Sequence, residues 1–202
     1  MSQITSDIVK KLRDMTGAGM MDCKKALEES NGDMDAAVDY LRKKGAATAA
    51  KRANKEANQG VVEAYIHAGG RIGTIVELNC ETDFVAKTPG FKALAHDIAM
   101  QIAAMNPQYV SREQVTPETI AKELDIYATQ AKNEGKAANV AEKVAQGRLE
   151  KFYQESVLME QSFIKDSGKT IKDIIQDEVA RVGEKIEVRR FMRYHLGEST
   201  SA

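Results

Sequence analysis

Residues 74–86 read Thr-Ile-Val-Glu-Leu-Asn-Cys-Glu-Thr-Asp-Phe-Val-Ala. Thr74, Val76, Leu78 and Cys80 alternate with Ile75, Glu77, Asn79 and Glu81, the two-residue period of a half-buried strand. Further on the period changes: Phe91, Leu94, Ala95, Ile98 and Ile102 recur at helical spacing. A sheet therefore hands over to a helix at Thr82-Asp83-Phe84-Val85-Ala86. Two readings of this corner stand open. Either Thr82 or Asp83 caps a helix start and Phe84 packs into the core. Or a rigid corner turns Phe84 outward as an anchor for a partner, a kind of side chain whose truncation costs about 2 kcal/mol or more.

Outward from the corner, an α+β fold emerges. Residues 61–68 read as a strand, Gly69-Gly70 as a two-residue hairpin turn, and Arg71 to Cys80 as the return strand. On the other side a helix runs from about Phe91 to Met105 and breaks at Asn106-Pro107. Thr116-Pro117-Glu118 restarts it, with proline at the first helical position. Ile120, Leu124, Tyr127 and Ala131 form one apolar stripe; Ala141, Val144, Ala145, Leu149 and Phe152 form a second beyond Gly135. The pair predicts a helical hairpin at about 117–155, with two ordinary core helices as the alternative. The chain is extended near Ser162-Phe163-Ile164, and Thr170 then caps a helix with Ile171, Ile174, Ile175, Val179 and Val182 inward. A last strand carries Ile186, Val188, Met192, Tyr194 and Leu196 on one side. Three strands and several helices predict a small three-stranded antiparallel sheet packed with helices.

Before the sheet, residues 4–44 read as three short helices. The first carries Ile4, Ile8, Val9, Leu12 and Met15 on one face and stops at Gly17-Ala18-Gly19. Met20 and Met21 fall on the loop, and Asp22 caps a second helix with Cys23, Ala26 and Leu27 inward. Adjacent methionines there serve equally well as bundle filler or as an adaptable contact surface. Asp33 caps the third helix, with Ala36, Ala37, Tyr40 and Leu41 inward and Gly45 beyond its end. The predicted plan is a bundle at 1–45, a basic linker at 46–60, an α+β core at 61–197 and a disordered polar tail at 198–202.

Composition narrows the function. Lys plus Arg number 29 against 30 Asp plus Glu, a net charge of -1 that argues against a non-specific nucleic-acid binder. Trp is absent and aromatics make up 5%, which leaves little for stacking on bases. No apolar run approaches the roughly 20 residues of a membrane span, and the first residues lack a signal peptide's basic and apolar regions. A cytoplasmic chain is expected, with Cys23 and Cys80 as buried reduced thiols. No glycine-rich phosphate loop is present. His67, His96 and His195 have no paired-ligand spacing, so no zinc site is expected. These readings point to a protein that acts by binding, with no catalytic residue, metal or cofactor of its own.

Two runs also resemble the signatures of a known family. Lys11-Leu12 through Thr16-Gly17-Ala18-Gly19-Met20-Met21-Asp22-Cys23-Lys24-Lys25-Ala26-Leu27, continued by Asn31-Gly32-Asp33, resembles the amino-terminal domain of bacterial translation elongation factor Ts. Asn79-Cys80-Glu81-Thr82-Asp83-Phe84-Val85-Ala86 resembles that family's second signature. Ala141-Glu142-Lys143-Val144, Gly147-Arg148 and the closing strand fit as well, so the resemblance covers nearly the whole chain. It implies a guanine-nucleotide exchange factor for elongation factor Tu in its GDP-bound and nucleotide-free forms. The first domain, like ubiquitin-associated domains, would dock on the GTPase through Leu12, Met20 and Met21. The position of Phe84 would insert between two partner helices, Asp83 would support the corner, and Thr82–Val85 would help to dislodge the bound Mg²⁺. A single hairpin and a single closing strand resemble the short members of the family, which implies a homodimer and a two-to-two complex, with no direct contact to membrane or nucleic acid.

Two other classes compete. The bundle alone reads as a ubiquitin-associated-like protein-binding module, which leaves the Thr82–Val85 corner unexplained. Lys43, Lys44, Lys51, Arg52 and Lys55 read as a contact of a ribosome or RNA accessory protein, whose binding would fall steeply with salt.

Overall fold

The computed structural model describes residues 4–198; the tail expected to be disordered lies, from residue 199 on, outside the described residues. The chain folds as α1 (Ser6–Thr16), α2 (Met20–Glu29), α3 (Met34–Arg52), β1 (Gln59–Ile66), β2 (Ile72–Cys80), α4 (Asp83–Ala86) and α5 (Pro89–Met105). There follow α6 (Pro117–Asn133), α7 (Ala138–Ser156), β3 (Ser162–Phe163), β4 (Asp166–Thr170), α8 (Ile171–Val182) and β5 (Ile186–His195). It is an α+β fold with a small antiparallel sheet in the order β1-β2-β5. Two compact units interleave along the chain. One takes the segment ending at Glu63, Val76–Asp97 and Asp173–Arg189; the other takes Ala64–Ile75, Ile98–Lys172 and the segment from Arg190 on.

In the first unit, α1, α2 and α3 enclose Val9, Leu12, Cys23, Ala26, Leu27, Ala37 and Leu41. Local chemistry sets their ends. Thr5 accepts a hydrogen bond from the Ile8 amide, and Asp33 accepts one from the Ala36 amide at 2.9 Å. Gly17 closes α1 in the left-handed region, φ 68°, where its amide reaches the Arg13 carbonyl. The structure departs from expectation at Gly45. That residue does not end α3 but lies buried inside it. A methyl group there would fall 3.2 Å from Ala180 Cβ of α8. Glycine in a helix costs about 1 kcal/mol against alanine; here it permits two helices to cross closely. The basic stretch up to Arg52 is therefore helix. Met20 and Met21 also differ from the reading as loop residues: they form the first turn of α2, which Gly19 caps without a side-chain bond. Met15 is not an inward residue but 58% exposed.

β2 buries Thr74, Val76, Leu78 and Cys80, as their period requires. Asn79, placed on the outer side by the same alternation, is buried too, because its amide donates to the Ala57 carbonyl at 3.0 Å. β5 keeps the expected inward side only at Ile186 and Val188. Both Arg189 and Arg190 are exposed, and beyond them the parity inverts: Phe191, Arg193 and His195 are half-buried while Met192, Tyr194 and Leu196 face solvent. A one-residue slip in a strand moves each later side chain to the other face.

In the second unit, Thr116 caps α6 with Pro117 in its first turn. α6 and α7 pack as a helical hairpin along small residues, Ala131, Ala141 and Ala145. Toward its base, Val115, Leu149, Tyr153 and Val157 form a core, and the Arg112 guanidinium lies 4.3 Å over the Tyr153 ring. Gln101 and Gln161 are fully buried and share an amide hydrogen bond of 3.1 Å. β3 and β4 add a two-stranded antiparallel ribbon where only an extended segment was expected.

Candidate functional site

α4 is one helical turn, and its length decides what it exposes. Thr82 is its N-cap in extended geometry, φ -125° and ψ 154°, and accepts from the Val85 amide at 3.4 Å. Residues two apart on a helix point about 200° away from each other. Val85 and Ala86 turn inward and are buried, so Asp83 and Phe84 turn out. Phe84 is 79% exposed. Leaving a phenylalanine in water forgoes about 1.5–3 kcal/mol of burial. Of the two readings of the corner, the geometry takes part of each: Thr82 does cap a helix, and Phe84 does not pack into the core.

The corner is tied to the turn between α8 and β5 by two carboxylates. Glu184 accepts from the Thr82 amide at 3.0 Å and from the Thr82 hydroxyl at 2.7 Å. Glu81 accepts from the Lys185 amide at 2.6 Å, and Arg52, the last residue of α3, donates to Glu81 at 2.9 Å. Inside the corner, Cys80 donates its thiol to the Thr82 carbonyl at 3.1 Å. Burial, and then the nearby Glu184 charge, push that thiol up to about 11, so it stays protonated at neutral pH. On the outside, Lys87 pairs with Asp83 and holds its carboxyl below the ordinary range, chiefly through their hydrogen bond. Beside the corner, in the first turn of α5, a methyl group at Gly90 would fall 2.1 Å from Arg181 Nη2. Arg181 itself pairs with Glu178.

The second candidate surface lies at the start of α2. Met20 is 43% and Met21 75% exposed. Leu12, placed with them by the resemblance, is fully buried in the bundle. Apolar packing with Val9, Cys23, Ala26, Leu27, Ala37 and Leu41 has taken it inward. Cys23 is buried as well, its thiol raised by burial and pointed at the Ala18 carbonyl, 3.6 Å away. The structure thus offers two exposed apolar surfaces, Phe84 on the Thr82–Val85 turn and Met20 with Met21 on the first turn of α2. Glu184 and Arg52 were not legible as site residues, since nothing in Gly183-Glu184-Lys185 marks a contact 102 positions away.

The three histidines go to separate partners. His67 meets Tyr65 at 3.0 Å, His96 meets Glu63 at 3.0 Å, and His195 meets Glu198 at 3.3 Å. Among the described residues, no group of three or more His, Cys, Asp or Glu side chains is placed to hold a metal ion. No helix among them is long and apolar enough to cross a membrane.

Comparison with known proteins identifies the family. The family model described as elongation factor TS matches residues 2–198. A protein of Moorella thermoacetica named elongation factor Ts is 63% identical over 190 residues, 94% of each chain. Its namesake in Carboxydothermus hydrogenoformans is 62% identical, over 96% of this chain and 90% of the relative. That of Desulforamulus reducens is 58% identical, over 98% and 91%. With the match running nearly end to end, the chain belongs to the elongation factor Ts family of translation factors.

Proposed function

We propose that this protein is a guanine-nucleotide exchange factor for elongation factor Tu, acting by binding alone. The observation that carries the reading is Phe84, 79% exposed on a turn whose backbone is held at Thr82 by Glu184 and at the Val85 carbonyl by the Thr88 hydroxyl. An apolar ring held outward in this way suits insertion between two helices of a partner. In this reading the Met20–Met21 surface docks on the GTPase, and the Thr82–Val85 turn enters near its nucleotide. There it disturbs the phosphate-binding loop and displaces Mg²⁺. The ion is the largest local charge holding GDP, so its loss releases the nucleotide. Linkage supplies the return step: a factor that weakens nucleotide binding is weakened by nucleotide to the same degree, and incoming GTP ejects it.

The second unit supports a homodimer, and with it a two-to-two complex. Ile66 at 66%, Ile75 at 46%, Met192 at 56% and Tyr194 at 58% leave apolar strand surface open to water. A second copy covering it is the occupant we propose, because sheet surface of this kind invites association. Tyr194→Lys should convert the dimer to monomer in light scattering; a monomeric unmutated protein would sink this part alone.

The test of the main reading is release of fluorescent GDP from elongation factor Tu in the presence of Mg²⁺. The unmutated protein should accelerate it, and Phe84→Ala should lose most of the acceleration, on the order of 30-fold for a hot spot of this kind. No acceleration by the unmutated protein would overturn the reading and shift weight to a protein-binding module built on the bundle.

A further inference from the structure

We propose that Glu184 is a positioning residue for exchange, one that fixes where Phe84 points by holding Thr82; this rests on the exchange-factor reading above. An exposed side chain has no packing of its own to locate it. Phe84 therefore takes its position from the backbone of residues 82–85. That backbone forms a single turn, α4, and a turn this short is not stable by itself. Its order comes from tertiary ties, and two of them form a reciprocal clamp. Glu184 accepts from the amide of Thr82, the residue after Glu81. Glu81 accepts from the amide of Lys185, the residue after Glu184.

Glu184 does more than Glu81 in this clamp. It also accepts a hydrogen bond from the Thr82 hydroxyl at 2.7 Å. With its O–H directed at Glu184, the hydroxyl oxygen turns a lone pair to the Val85 amide, the bond that caps α4. One carboxylate thus sets the N-cap backbone and the rotor of its hydroxyl together. The Arg52 guanidinium sits on Glu81, whose side chain is only 17% exposed, and completes the anchor from the end of α3. Glu81, Glu184 and Arg52 act through Thr82 and need not touch the partner themselves.

The experiment compares the full-length protein with Glu184→Ala and Glu184→Gln, each checked for an unchanged melting curve. The alanine variant should lower the GDP release rate at saturating factor about tenfold, as misplaced groups do, and leave the half-saturating concentration within about twofold. The glutamine variant keeps an acceptor for the Thr82 amide but turns an N–H donor toward the hydroxyl, and should recover only part of the rate. A release rate in Glu184→Ala equal to the unmutated one would overturn the proposal. So would a loss confined to the half-saturating concentration, or an equal loss in both variants. Should Glu184→Ala fail to fold, Thr82→Val removes the hydroxyl bond and the cap while keeping the amide bond, and should lose part of the saturating rate as Glu184→Gln does; an unchanged rate in it overturns the proposal. A second readout separates this proposal from the exchange reading. With 4-fluorophenylalanine at Phe84, the fluorine resonance of the free protein should broaden or shift in Glu184→Ala. If the unmutated protein fails to release GDP, the exchange reading falls; an unchanged fluorine resonance overturns the clamp whatever the exchange assay shows.

Discussion

The Phe84 corner and the Met20–Met21 turn both hold apolar side chains out in water, and they are built in opposite ways. The corner is a single turn clamped by Glu81 and Glu184, with a hydroxyl cap and a buried thiol behind it. The methionine turn opens on Gly19, which supplies no side-chain cap, and is pinned by an Asp22–Lys44 ion pair whose two side chains are each about 40% exposed. Surface pairs of that kind contribute about 0–1 kcal/mol. A stiff aromatic on a clamped turn suits a step that needs one geometry, such as forcing two helices apart. Flexible thioethers on a loosely held turn suit a surface that adapts to its partner. The difference suggests a division of labour: the bundle supplies affinity and the corner supplies rate.

The largest effect expected from this contrast comes from beneath the methionine turn. Leu12→Ala removes a fully buried side chain from a small core. It should destabilise the bundle by about 2–5 kcal/mol, the usual range for such cavities. Native-state hydrogen exchange in the intact protein is the measurement, with protection lost at the Leu27 and Leu41 amides. Phe84→Ala should leave the same protection untouched, because no packing is lost. A Leu12→Ala protein with a protected bundle and poor docking would mean that Leu12 reaches the partner directly, against its burial.

An intermediate effect is expected on the docking surface itself. Replacing Met20 and Met21 together by alanine should weaken half-saturation by about tenfold, or roughly 1.4 kcal/mol, with the saturating GDP release rate preserved. Leucine at both positions should recover most of the affinity if adaptable apolar area is what matters. A loss of saturating rate in the alanine protein would break the division of labour, since the methionine turn would then act in the exchange step too.

The contrast was only half legible in the sequence. The strand-to-helix handover at Thr82, the caps at Asp33 and Thr116, and the alternation from Thr74 to Cys80 could all be read, because each depends on residues a few positions apart. What escaped depends on distant partners. α3 continues past Gly45 because Ala180 allows the crossing there, and no local signal says so. Asn79 is inside because the Ala57 carbonyl needs a donor. The parity of β5 inverts after Arg189-Arg190, so Met192 and Tyr194 lie outside although their period placed them with Ile186. At the site, Phe84 could be singled out by its chemistry, but its exposure could not be derived from the residues alone. The clamp could not be seen at all, because a glutamate that holds a distant backbone amide looks like any surface glutamate.

The smallest effect tests whether the surface of the corner shares in holding it. Asp83 and Lys87 lie four apart and pair on the exposed side of α4. The pair holds the Asp83 carboxyl below its ordinary value. A carboxyl lowered in the folded state contributes stability above its unfolded pKa and loses it as the pH falls through the folded one. Lys87→Met should therefore move the Asp83 titration upward toward the ordinary carboxylate range, read from the side-chain carboxyl carbon by NMR. At neutral pH the carboxylate is ionised with or without the lysine, so GDP release should not change. If release falls in Lys87→Met while the fluorine signature of Phe84 stays put, Lys87 acts on the partner rather than on the corner. If both move together, the corner is held from its solvent side as well as by Glu184, and the clamp is only part of the device.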